Sequence, residues 1–221
     1  MRNTFVLGLL AVFAMVGSVR GDLIISGVVD GSQTGGLPKA IELVALNPIA
    51  DLSAFTIVRD TNGTNGGPFT ISSSFNLPMV PLAQGDFFYI YGNAASETFL
   101  TDAGFGDSTM GTGAADIVGS TNGDDILAVS TDRTAAGIID AFGLLGQGDT
   151  NFATDNLAYR QAGTAPNPTG VQDAGNFDLL SNSDATITST LGTYFVPAIP
   201  EPSSLALLGL FGFAGVVRRR K

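Results

Sequence analysis

The feature that most constrains this chain is how its interior is cut. Short apolar runs are each bounded by Gly, Asn, Asp, Ser or Thr, and no stretch sustains a three-to-four-residue hydrophobic period. A helix needs that longer period to keep one face buried, whereas a strand needs only a few apolar positions between turns. The expectation is an all-β body with little helix. Strands are predicted at Leu23–Val29, Ala40–Leu46, Phe55–Arg59, Phe69–Ser72, Asp86–Tyr91, Asp125–Ser130, Gly137–Phe142, Leu157–Arg160 and Ala185–Thr190. Phe87-Phe88-Tyr89-Ile90-Tyr91 is apolar on both faces, which predicts a central strand or a contact between sheets. Phe55, Ile57, Phe88 and Ile90 are core candidates. Asp60 to Gly67 supplies residues tolerant of positive φ for a hairpin connection, and Gln84-Gly85-Asp86 and Asn122-Gly123-Asp124 do the same before later strands. Ala94 to Gly119 is expected to be a long surface excursion, and Thr164 to Pro168 another loop.

The two ends differ from this pattern. Arg2 precedes an apolar run from Phe5 to Val16, and Val19-Arg20-Gly21 offers a small-residue cut before Asp22. A run of about a dozen residues is short of the ~20 that span a bilayer, so residues 1–21 are expected to be a removable signal peptide. At the other end Pro200-Glu201-Pro202 and Ser203-Ser204 lead into the apolar run Leu205 to Val217, closed by Arg218-Arg219-Arg220-Lys221. The prolines keep the junction extended, and the basic cluster favours the cytoplasmic side. This order resembles the PEP-CTERM sorting signal of bacteria that make extracellular polysaccharide. The resemblance covers Val196 to Lys221 and makes Pro200, Glu201 and Pro202 the sorting motif. It implies a tail held transiently in the inner membrane as a short transmembrane helix until an exosortase-type enzyme cuts near the motif. A permanent anchor is the rival reading, disfavoured because the strictly apolar run is short.

What lies between, residues 22–195, is long enough for one sizeable core and is expected to be a single domain. Up to Pro197 its only cations are Lys39, Arg59, Arg133 and Arg160, against 19 Asp and Glu (the chain's 20 less Glu201), for a net charge near −15. That field repels nucleic acid and anionic lipid. The chain has no Cys, so an exported body must hold through its core alone. It has no His either, which excludes Ser-His-Asp and Cys-His chemistry and removes the commonest zinc ligand. Catalysis would have to rest on carboxylates, Lys39 or Tyr.

Several segments of the body share a second resemblance. Leu23-Ile24-Ile25-Ser26, Ala40 to Asn47 and Asp51-Leu52-Ser53-Ala54-Phe55-Thr56-Ile57 look like the opening of a lamin-tail domain. Leu82 to Asp86, Asn122 to Val129, Ile138 to Gly143 and Leu157 to Arg160 continue the similarity in order. Gly27 departs from it where Glu is common, and Phe55 departs where Trp is common. The resemblance implies an immunoglobulin-like β-sandwich and brings no shared catalytic site; Gly27 removes any role tied to an acid at that position.

The acidic groups are the candidates for chemistry. Asp60, Asn62 and Thr64 alternate like the start of a calcium loop, but the glycine falls one place late and Ile71 stands where a bidentate Glu is needed. A solvated hairpin is the favoured reading there, and a turn before a strand is favoured for Asn122, Asp124 and Asp125. A glycosidase needs two carboxyl groups, one with a raised pKa. Glu42 is the only Glu on a predicted strand, and it is expected to pair with a cation or face solvent. Asn62-Gly63-Thr64 fits a weak glycosylation pattern, and Ser72-Ser73-Ser74 and Thr186 to Thr190 could carry O-linked sugar or serve as an ordinary loop and edge strand. No catalytic residue, cofactor or metal-ligand set is expected. The reading is a non-catalytic exported protein of the cell surface or extracellular matrix, contacting exopolysaccharide or another envelope component. A calcium-dependent adhesive module is the first alternative, and a small secreted carboxylate-dependent glycosidase the second.

Overall fold

The structure is a computed structural model that describes residues 22–61, 69–105, 108–109, 117–143, 153–167 and 176–196. The expected signal peptide, most of the Asp60–Gly67 turn and the C-terminal tail from 197 onward lie outside the described residues.

Among the described residues ten strands form two sheets. In chain order they are β1 (Leu23–Gln33), β2 (Leu37–Ala45), β3 (Thr56–Asp60), β4 (Ser73–Asn76), β5 (Phe87–Tyr91), β6 (Ser108–Thr109), β7 (Ile126–Ser130), β8 (Ile138–Phe142), β9 (Asn156–Arg160) and β10 (Phe177–Ser181). The larger sheet runs β10-β9-β1-β2-β5-β6 and the smaller β4-β3-β7-β8. All pairings are antiparallel except the short β5–β6 contact. Two α-helices are present among the described residues, α1 (Ala94–Asp102) and α2 (Asp184–Thr190). None there is long and apolar enough to cross a membrane.

The main core lies between the sheets. Ile25, Ile41, Leu43, Phe55, Ile57, Phe88, Ile90, Leu127 and Val129 meet there, all buried. The four core candidates are therefore core residues. The larger sheet is covered on its outer face as well: Ile24, Val44, Tyr89, Tyr91, Leu100 of α1 and Ile187 of α2 pack together. This explains why β5 is apolar on both faces, with Phe88 and Ile90 turned to the inner core and Tyr89 and Tyr91 to the outer.

β1 changes phase partway along. Leu23 and Ile25 face the inner core, yet so does Val28, because a bulge at Ser26 interrupts the β1–β2 register between Ile25 and Gly27. One extra residue flips every later side chain to the other face. It also places Gly27 opposite both Glu42 and Tyr159.

Three expectations are corrected, and one strand lies where none was expected. The stretch expected as an excursion holds α1, whose Asn93 cap accepts a hydrogen bond from the Ser96 amide at 2.9 Å, and the short β6. The Thr-rich segment expected as an edge strand is α2. There Ser183 caps the first turn, Asp184 favours the N-terminal dipole and Ile187 docks into the outer core, and together these override the β preference of threonine. The strand expected at Phe69–Ser72 begins only at Ser73; Phe69 and Ile71 instead lie half-buried against the cluster of Val58, Ile126, Ala128, Ile138 and Ala141. β10 was not anticipated at all.

Candidate functional site

Glu42 occupies the middle of β2, and the alternation that points Ile41 and Leu43 inward turns it toward the outer face. It is completely buried there. Ser26 Oγ donates to its Oε1 at 2.7 Å and the Gly192 amide donates to its Oε2 at 2.6 Å. The phenols of Tyr89 and Tyr159 face the same carboxyl. One side chain thus joins β1, β2, β5, β9 and the turn after α2. The expectation of a cation partner or solvent exposure is overturned: the bulge and the turn enclose Glu42 among uncharged donors. Burial pushes its carboxyl up to about 7, and the hydrogen bonds from Ser26, Gly192, Tyr89 and Tyr159 hold it from going further. Burial and the neighbouring carboxylate push both phenols up.

The turn above Glu42 is built for close approach. Gly192 has φ +74°, which favours glycine after a helix end. The next amide, Thr193 N–H, donates to the Tyr159 hydroxyl at 3.1 Å. Leu191 settles over Gly27, where an added Cβ would lie 3.1 Å from Leu191 Cδ2 and 3.3 Å from Glu42 Cβ. Tyr194 is buried too and receives a hydrogen bond from the Gly163 backbone.

A second buried polar group lies where the sheets meet. Asp140 of β8 accepts from Arg160 Nη2 at 2.6 Å and from the Ile25 amide at 2.9 Å, both on Oδ2; its Oδ1 accepts from the Asn167 amide at 2.9 Å. Arg160 Nε donates to the Ile25 carbonyl at 2.7 Å, and its guanidinium lies 4.8 Å from the centre of the Phe177 ring. The pair therefore serves both backbone groups of Ile25, where β1 lies beyond the reach of the β9 ladder. Burial pushes the Asp140 carboxyl up while Arg160 and the two amides pull it back. A third group, Lys39, donates to Asp30 Oδ1 at 2.7 Å and to the Thr121 carbonyl. The Lys39 amide bonds Ser96 Oγ at 2.8 Å and so ties α1 to β2.

The other candidate residues are distributed differently. Asp60 lies opposite Ile126, beside Asp125, so the two acidic loops share one end of the sandwich. Asp60 Oδ2 accepts from the Thr70 amide at 3.0 Å and Asp125 Oδ2 from the Asn122 amide at 3.3 Å. Both acids thus support turns, and no metal-holding group of three or more acids occurs among the described residues. Asn62 and Thr64, with the possible glycosylation acceptor, lie outside the described residues, as do Pro200, Glu201 and Pro202. Glu42 has no carboxyl among its hydrogen-bond partners.

Sequence reasoning did not reach the roles of Ser26, Tyr159, Gly192, Asp140 and Arg160. Two signals were available: a glycine inside a strand, which marks close approach, and single charged residues in otherwise apolar strands, which need a buried partner.

Residues 198–221 match the PEP-CTERM protein-sorting motif. The match begins two positions after Val196, the last described residue, and marks the chain as an exported protein sorted by an exosortase. No curated protein and no solved structure matches the chain.

Proposed function

We propose that the body is a non-catalytic binding module of lamin-tail-like, immunoglobulin-type architecture, delivered to the cell surface or extracellular matrix by the exosortase route. Its ligand is a polysaccharide or another envelope polymer, met by the loop-rich, acidic surface. The observation that carries this reading concerns Glu42. Its carboxyl, pushed up to about 7 by burial, spends both oxygens on internal donors, beneath a turn that seals it from any substrate. Asp140 is likewise engaged by Arg160 and two backbone amides. A glycosidase would need such a group free and facing a second carboxyl across the sugar. Two sheets facing one core, antiparallel except at β5–β6, support the sandwich class.

The test is retention of the purified full chain on the producing organism's own exopolysaccharide, with and without calcium, while polymer length is followed. Retention without shortening is the expected result. Because the body carries a net charge near −15, an anionic polymer should be held only when divalent cations bridge it. Retention wholly dependent on calcium for a neutral polymer would favour the adhesive alternative. Progressive depolymerisation lost on Glu42→Gln would overturn the reading.

A further inference from the structure

The last described segment of the body is tied down residue by residue. Leu191 is 3% exposed over Gly27, the Gly192 amide ends on Glu42 and the Thr193 amide on Tyr159. Tyr194 is 7% exposed; Phe195 turns out to solvent at 69% exposed, and Val196, half-buried, makes the last described contact with the outer core. The sorting tripeptide begins at Pro200, four residues beyond Val196. Even fully extended, that stem reaches only about 14 Å from the body.

We propose that the Leu191–Tyr194 turn is a releasable clasp that pins the stem of the sorting tail to the body, closed through the Gly192 and Thr193 amides onto Glu42 and Tyr159. The clasp does not depend on what the body binds. The groups that face Glu42 are the Ser26 hydroxyl from β1, the Tyr89 phenol from β5, the Tyr159 phenol from β9 and the Gly192 amide from the turn. From α2 and the turn, Ile187 and Leu191 add apolar cover to the same face. None of these groups is a cation, so a carboxylate under the closed turn is stabilised by hydrogen bonds alone. Lifting the turn lets water reach the carboxylate, and ionisation therefore favours the lifted state. The closed carboxyl titrates near 7 against 4.5 for a solvated one. By linkage the opening equilibrium rises on the order of a hundredfold between acid and mildly alkaline pH. Release adds the length of the turn to the stem and so moves the tripeptide farther from the body, where a membrane enzyme has room to engage it.

Hydrogen exchange of the full chain in detergent micelles at pH 5.5 and 8.5, corrected for the intrinsic base-catalysed rate, tests the clasp. The Gly192 and Thr193 amides should be less protected than those of Ile57 and Val129 at both pH values, and their protection should fall about thirtyfold at the higher pH. Glu42→Gln should remove that fall. Protection of Gly192 and Thr193 equal to that of Ile57 and Val129 would mean that the turn opens only with the whole body, and would overturn the clasp. So would equal protection at the two pH values in the unmodified chain, a result that stands whether or not the Gln variant folds.

Discussion

Gly27 lies directly across the ladder from Glu42, and a Cβ at Gly27 would come within 3.3 Å of the Cβ of Glu42 and 3.1 Å of Leu191. The glycine is therefore what lets the C-terminal turn descend onto the carboxyl. Gly27→Val should destabilise the body by about 1–3 kcal/mol, as overpacking of a tight site does. Urea unfolding monitored by tyrosine fluorescence measures it. A midpoint equal to that of the unmodified protein would show that Leu191 yields without cost.

Stability should fall as pH rises from about 4.5 to about 7. Between about 4.5 and 7 the unfolded chain has already lost the Glu42 proton while the folded chain keeps it, so each step upward favours unfolding. The loss is complete above pH 7 and amounts to something on the order of 3 kcal/mol for a group this buried. Glu42→Gln should flatten this part of the profile. Denaturant titrations at pH 5 and pH 8 give the comparison directly, and a Gln variant with the parent's slope would assign the pH dependence to other groups.

Breaking the Asp140–Arg160 pair should cost more than replacing it. Asp140→Ala leaves a buried guanidinium unpaired and strips the Ile25 amide of its acceptor, a loss of about 3–5 kcal/mol. The double change of Asp140→Leu with Arg160→Met should recover part of that loss, because no charge is stranded. A thermal or urea series on the three proteins orders them, and a double variant weaker than Asp140→Ala would contradict this ranking.

Phe55→Ala removes an aromatic ring that is 2% exposed at the contact between the sheets. The expected cost is about 3–5 kcal/mol, enough to unfold a marginal domain that has no disulfide to restrain it. Loss of sharp near-ultraviolet dichroism on this substitution is the observable.

Much of the sandwich was legible because burial leaves a pattern. Ile57, Phe88, Ile90 and Val129 occupy apolar positions of short runs, and each lies in the inner core. What escaped depended on distant contacts. α2 reads as a strand from its threonines, and only Ile187 docking beside Leu191 makes the helix worthwhile. α1 carried a readable cap at Asn93, but its apolar residues are too few to set a period. Glu42 looked like a surface or paired acid because nothing nearby in sequence announces Gly192, 150 positions away. The pairing of Asp140 with Arg160 across 20 residues was hidden in the same way: two charges in apolar strands say that each needs a partner, not which one.

The mass of the native exported protein tests most directly whether this is a sorted body rather than a permanently anchored one. Residues 198–221 carry the sorting motif, with Pro200-Glu201-Pro202 near the expected cut. Intact-mass and C-terminal peptide analysis of the extracellular form should find a chain that ends near that tripeptide and lacks Arg218 to Lys221. Substituting Glu201 should leave a longer, membrane-held form. A mature extracellular protein that still carries Arg218-Arg219-Arg220-Lys221 would contradict the sorting account outright.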